Sequence, residues 1–251
     1  MLSISLIAAF PELVENALDY GVTGRAREEG RWRWRGFGLH DFANDTRKSI
    51  DARPAAGGPG MVLMSAPLDA ALAAARTWHG EPTTVVLLSP DGAPLEQSRV
   101  RQFADSKKHL TFVAGRYEGI DQRWVEANVD AIVSIGDYVL SGGELAAAAV
   151  IDSCVRLLPG ALGDEDSTTF ESFAIGRLDW PQYALTNNVN PAVESGIPEA
   201  LVGGDHTAIA RWRIKEALTR TWMRRPDLLA RANLSQEERA MIDEITLESK
   251  A

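Results

Sequence analysis

Residues 131–160, AIVSIGDYVLSGGELAAAAVIDSCVRLLPG, pass from an apolar strand through a polar loop holding three glycines into an apolar helix. Ala131 to Ile135 read as a buried strand. Gly136, Gly142 and Gly143 permit backbone conformations and close approaches that side chains forbid. Glu144 opens a helix that runs to Leu158 and is stopped by Pro159 and Gly160. Such a segment predicts a small-molecule pocket, although α/β proteins also join strand, glycine turn and helix where no ligand binds.

Working outward, Leu110 to Ala114 form another apolar strand that runs into Gly115-Arg116-Tyr117-Glu118-Gly119-Ile120-Asp121. A third strand, Thr83 to Leu88, precedes Ser89-Pro90-Asp91-Gly92, a turn by composition. Parallel strands that each end in a glycine-bearing loop place those loops on the carboxyl edge of a sheet, where open α/β folds bind ligands. Neither GxGxxG nor GxxxxGK[ST] occurs, so the expected ligand is neither NAD nor ATP.

The 251 residues, 45% of them hydrophobic, suffice for one large domain or two modest ones. No apolar run approaches the roughly 20 residues of a membrane span. Pro11 and Glu12 interrupt the apolar start where a secretion signal would continue, so no membrane association and a cytoplasmic location are expected. The single cysteine, Cys154, can form neither an internal disulfide nor a cysteine metal cluster and reads as a small buried hydrophobe; no residue is assigned to a metal.

A net charge of -9 argues against general affinity for nucleic acid, but the charge is unevenly spread. Residues 204–226 carry six basic side chains against two acidic ones, with Trp212 and Trp222 among them. Residues 25–53 carry eight basic against five acidic, with Trp32 and Trp34. Each patch is either a surface for an anionic partner or a solvated face.

Leu2 to Ile7 read as a first strand, and Phe10-Pro11-Glu12 opens a helix with proline in its first turn. An irregular stretch follows, including a glycine- and proline-rich loop at 47–61, and then a short helix over 67–75. The alternation of strands and helices through Leu158 predicts an α/β first domain over 1–160 with a parallel sheet. The acidic, apolar-poor residues 163–170 lie in an expected flexible linker over 161–175. A mainly helical domain over 176–251 follows, with Asp205 capping one helix and Ser235 with Glu238 forming a capping box on another.

Taken in order, these motifs resemble the bacterial tRNA (guanine-N1)-methyltransferase family of the SPOUT class. The resemblance rests on Phe10-Pro11-Glu12, residues 20–26, Gly57-Gly58-Pro59-Gly60-Met61, Leu88-Ser89-Pro90, residues 115–121 and 135–144, Gly204-Asp205-His206 and Arg211-Trp212-Arg213, and it spans nearly the whole chain. It implies a deep trefoil knot built from the glycine loops, an exception to the rule that chains do not thread loops. It also implies a homodimer, tRNA as partner, and S-adenosyl-L-methionine as methyl donor. A requirement for Mg2+ is implied by the family alone.

For the cofactor pocket the resemblance implies Leu88, Ser89 and Pro90; Gly115, Tyr117, Glu118 and Gly119; Ser134, Ile135, Gly136, Asp137, Tyr138, Val139 and Leu140; and Gly142 and Gly143. Asp137 and Glu118 either provide a negative field for a sulfonium or cap neighbouring elements. The reaction is methylation of N1 of the guanine 3′ of the anticodon. Guanine N1 carries a proton at neutral pH, so the reaction requires a base and a stabiliser of charge on O6. The resemblance implies Glu171 as base, Arg156 as O6 stabiliser and Asp179 near the guanine. Three acceptor-side positions depart from the family pattern: Glu171-Ser172-Phe173 stands for Asp-Ser-Phe, Ala184-Leu185-Thr186 for Thr-Arg-Pro, and Ala55-Ala56 for an aromatic-glycine pair. A noncatalytic or weakened cofactor- and RNA-binding homologue is the alternative, and the missing GxGxxG opposes a nucleotide-dependent oxidoreductase.

Overall fold

The computed structural model describes residues 1–104, 109–184 and 196–249, without the side chains of residues 165 and 166. Leu185 and Thr186 therefore lie outside the described residues. The chain forms two compact units, Met1–Asp164 and Glu165–Ala251.

The first unit begins with β1 (Leu2–Ala8), α1 (Pro11–Leu18), α2 (Gly21–Glu28) and β2 (Trp32–Gly38). A small hairpin of β3 (Asp51–Ala52) and β4 (Val62–Leu63) precedes α3 (Ser65–His79), β5 (Thr83–Pro94) and α4 (Gln97–Ala104). Then come β6 (His109–Ala114), α5 (Gln122–Asn128), β7 (Ala131–Ser134) and α6 (Glu144–Val155). The main sheet has the order β2-β1-β6-β5-β7, and its ladders are all parallel.

Side chains alternate across the sheet with period two. Ile4, Leu6, Leu110 and Phe112 pack against α1, α4 and α6, whereas Ile7, Val85, Leu87 and Val113 pack against α3 and α5. Both faces are covered, as a parallel sheet requires. At the amino end of the strands the second face turns polar. There His79 lies 3.0 Å from Ser3 Oγ through Nδ1 and 3.0 Å from Ser5 Oγ through Nε2. Burial, aided by the nearby charges of His109 and Arg33, pushes His79 down to about 4.

Three expectations change. The irregular reading after the first helix missed α2 and β2, whose alternation is masked by arginines and tryptophans. Trp32, expected in a basic surface patch, is core: it is buried and donates from Nε1 to Thr23 O at 3.0 Å, and Trp34 packs against the same cluster. Arg25, Arg31 and Arg33 of that patch donate to Ala161 O, Pro159 O and His79 O respectively, so part of the patch ties this unit together. Finally, Ser89–Gly92 is an extended excursion inside β5 and makes no reversing turn. Leu88 and Ala93 both pair with Val133, so four residues bulge outward where Pro90 could donate nothing to a ladder.

The second unit contains α7 (Glu199–Val202), α8 (His206–Arg224), α9 (Pro226–Arg231) and α10 (Gln236–Glu248) around a small core of Leu218, Met241 and Ile245. Asp205 caps α8 and the Ser235–Glu238 capping box opens α10. Within the stretch expected to be a linker, Glu165–Thr168 form a 3-10 turn and the Phe170 ring packs tilted against Trp180, 6.1 Å between centroids.

Candidate active site

A cleft of about 230 Å³ opens at the carboxyl ends of β5, β6 and β7. Hydrogen bonds between three loops build it. Gly143 N donates to Gly115 O at 2.8 Å, Leu95 N to Ser134 O at 2.8 Å, and Arg116 bridges to Gly142. The spacing is too tight for side chains. A Cβ on Gly143 would lie 2.9 Å from Ala114 Cα, and one on Gly92 2.5 Å from Val133 N. Gly136 (φ 149°) turns the chain so that Tyr138 N reaches Gly136 O at 2.9 Å, with Ser134 Oγ closing the turn. Tyr117, at φ 59°, holds the left-handed conformation that residues with a Cβ seldom adopt.

The sequence-predicted cofactor residues converge here. Leu88, Ser89 and Pro90 line the cleft from β5, and Gly115, Tyr117, Glu118 and Gly119 from the loop after β6. Ser134, Ile135, Gly136, Tyr138, Val139 and Leu140 line it from the loop after β7, with Gly142 and Gly143 at the start of α6. Asp137 is outside the lining and exposed.

Arg116 also lines the cleft, and sequence reasoning missed it. Its guanidinium lies 4.7 Å over the Phe10 ring and donates from Nε to Glu144 Oε1 at 2.8 Å. Glu144 is 1% exposed, and its Oε2 has no hydrogen-bond partner. A carboxylate at the first helical position, among residues otherwise apolar, was the available signal that a cation must come from elsewhere. The pair also revises why Gly142 must be glycine. A Cβ there would lie 2.5 Å from Glu144 Oε2 and 2.9 Å from Arg116 Nε, so the constraint comes from the ion pair behind the loop.

A loop over residues 57–60 leans on the same wall. Glu118 N donates to Met61 O at 3.0 Å and Leu63 N to Gly119 O at 3.0 Å, and Gly60 (φ 77°) packs against the Glu118 side chain.

The catalytic candidates divide between the units. Arg156 is the carboxyl cap of α6 in the first. Glu171 and Asp179 both line a cavity of about 280 Å³ in the second, walled by Phe170, Trp180, Ile214 and Ala217. Asp179 accepts from Ser172 Oγ at 2.7 Å, while its own N–H donates back to Ser172 Oγ at 3.1 Å. Arg213, also in this lining, lies 4.9 Å over the Trp180 ring. On α8 the side chains of Arg211 and Arg224 are exposed, whereas Trp222 packs into the small core. Cys154 is buried, and burial raises its thiol to about 12, which leaves it inert.

Residues 2–231 match the family model described as tRNA (Guanine-1)-methyltransferase TrmD. This chain belongs to that family. A tRNA (guanine-N(1)-)-methyltransferase of Halorhodospira halophila is 49% identical over 99% of this chain and 92% of its own length. Proteins with the same name from Dechloromonas aromatica and Coxiella burnetii are each 46% identical, the first over 100% of this chain and 99% of its own length, the second over 99% of both. The matched range includes every residue that lines the cleft. Among the described residues no group of three or more His, Cys, Asp or Glu is arranged to hold a metal ion, and no helix is long and apolar enough to cross a membrane.

Proposed function

We propose that this chain transfers a methyl group from S-adenosyl-L-methionine to N1 of the guanine 3′ of the anticodon in tRNA. The observation that carries this reading is the cleft, whose walls are the loops bearing the family motifs. Its residues fit the donor. Backbone N–H and C=O groups of strand-end loops are the contacts an adenine edge uses, and the glycines leave room for them. Arg116, the cation in the wall, is paired with the buried carboxylate of Glu144, so a sulfonium in the cleft would not face an uncompensated positive charge.

When bound, S-adenosyl-L-methionine supplies an electrophilic methyl group. The chain's own residues prepare the acceptor: Glu171 takes the N1 proton and the Arg156 guanidinium stabilises the charge that grows on O6. Asp179, held by Ser172, accepts from the guanine edge. The exposed cations of α8 contact phosphates, which makes affinity fall with salt. No step is assigned to Mg2+. The glycine loops form a trefoil knot, the first unit binds the cofactor, the second grips tRNA, and the enzyme works in the cytoplasm as a homodimer. Leu13 of α1 and Leu145 of α6 are 48% and 61% exposed on helices that pack together, which supports pairing through that face. No observation favours the noncatalytic alternative.

Radiolabelled methyl transfer to tRNA transcripts with guanine or adenine at the acceptor position, with the preceding base varied, tests the reading. Transfer to guanine and none to adenine is expected; equal labelling of both, or none of either, overturns it.

A further inference from the structure

The loop that carries Glu171 and Asp179 is fastened to the carboxy-terminal helices at successive residues. Arg177 pairs through its guanidinium with Glu238 Oε1 on α10. Leu178 N donates to Thr221 Oγ1 on α8 at 3.1 Å. Asp179 O accepts from Arg220 at 3.5 Å. Inside the loop, Phe173 N donates to Arg177 O at 2.7 Å with Phe173 at φ 70°, and Ser172 closes the two ends through its reciprocal bonds with Asp179.

Two of these fasteners have no explanation in RNA binding. Thr221 is 0% exposed, so it cannot touch a nucleic acid. Its hydroxyl donates to Ala217 O at 2.6 Å, as a helical threonine can, which leaves its lone pairs for the Leu178 N–H. Glu238 already serves the capping box with Oε2, accepting from Ser235 N at 2.8 Å, and uses Oε1 for Arg177. Arg177 and Glu238 side chains are only 12% and 18% exposed, so the pair is shielded and stiffer than a surface ion pair.

We propose that Thr221 and the Arg177–Glu238 pair are positioning residues for the acceptor-side carboxylates, acting through Leu178 and Asp179. This rests on the proposed methyl transfer. On this account α8 and α10 do more than hold tRNA: they set where Glu171 and Asp179 stand over the cavity they share. A catalytic group displaced by about 1 Å costs on the order of 10²-fold in rate, so a loose fastener is read in turnover.

The isosteric exchange Thr221→Val removes the acceptor for Leu178 N–H, and Thr221→Ser retains it. Steady-state methylation with full-length protein and tRNA transcripts should show kcat lowered about 10- to 100-fold in Thr221→Val. KM for S-adenosyl-L-methionine should be unchanged, the acid limb of the pH–rate profile shifted, and Thr221→Ser restored to near wild type. Glu238→Gln keeps a capping side chain on α10 but removes the charge facing Arg177, and should lower kcat less, with the same unchanged KM. If Thr221→Val fails to fold, Glu238→Gln decides by that split. Wild-type kcat in the variants, a loss confined to KM for tRNA, or Thr221→Ser as impaired as Thr221→Val overturns the proposal. A wild type without transfer overturns the proposed function and this inference together; an active wild type with unaffected variants overturns this inference alone.

Discussion

The cleft of the first unit and the cavity of the second are built on opposite plans. The cleft is backbone work: Gly143, Gly115 and Ser134 join loops through main-chain bonds, and a methyl group on Gly143 or Gly92 would meet main-chain atoms of a neighbouring segment. Its Arg116–Glu144 ion pair joins a guanidinium in the wall to a carboxylate buried behind it. The cavity is side-chain work: Ser172 closes one loop on itself, Thr221 and Glu238 fasten that loop to two helices, and Gly176 within it has open space around it. A backbone-built site tolerates little substitution and changes slowly. A site fastened by side chains can exchange parts, and this is the unit that holds Glu171, the proposed base.

The largest expected effect breaks the comparison if it fails. Glu171→Gln should reduce single-turnover methyl transfer by more than the roughly 10²-fold low end for a general base. Calorimetric affinity for S-adenosyl-L-methionine should stay unchanged, because Glu171 belongs to the other unit. Turnover equal to wild type would remove Glu171 as base and leave Asp179 as the described candidate; the side chain of Asp166 lies outside the described residues.

A pH titration separates the units next. His79 in the first unit stands at about 4 when folded against an ordinary 6.5, because burial disfavours its charged form. The unfolded chain therefore binds the proton first as pH falls. The contribution is fully present above pH 6.5, declines down to about pH 4 and is then level, for a total of at most about 3.5 kcal/mol at ~1.4 kcal/mol per pKa unit. In the second unit burial works to raise Glu238, but its hydrogen bonds from Ser235 and Arg177 and the Arg177 charge hold it below its ordinary 4.5. That contribution is present above pH 4.5 and is lost only below it. Amide hydrogen exchange in urea at pH 7 and pH 5, compared between β1 (Leu2–Ala8) and α10 (Gln236–Glu248), should show the first unit weakening while the second holds. Equal loss in both would contradict the assignment to His79.

The smallest effects sharpen the contrast in construction. Gly143→Ala should cost about 2 kcal/mol by overpacking against Ala114 and should weaken cofactor binding. Gly176→Ala, with φ 77° but nothing within 4 Å, should cost about 1 kcal/mol of backbone strain and leave cofactor binding intact. Thermal melts with calorimetry read both, and equal penalties would show that the two sites share one plan.

Much of the cleft was legible in the sequence because glycine leaves a local mark: strand, glycine loop and helix are contiguous at 131–160 and again after Ala114. The family motifs then named Tyr138 and Leu140, whose contribution no local pattern carries. Arg116 was hidden because its direction depends on Glu144, 28 positions away, and on Phe10, still further. The strand at 32–38 was hidden because Arg33, which bonds Ser3 and His79, and Arg31 just before it, which bonds Pro159, look like surface charge until their partners are known. Ser89–Gly92 has the composition of a turn, and only pairing on both sides of it with Val133 reveals an excursion.

The strand order also sets a timetable. β1 is buried at all seven positions, yet its inner neighbour is β6, with Ile4 opposite Leu110. On a ribosome adding about 5–20 residues per second, β1 and β2 wait on the order of 5–20 s before the strand that completes their pairing has been made. Through that interval a two-stranded ribbon presents one naked apolar edge to the cell, which makes the amino-terminal third of the nascent chain a natural client for chaperones.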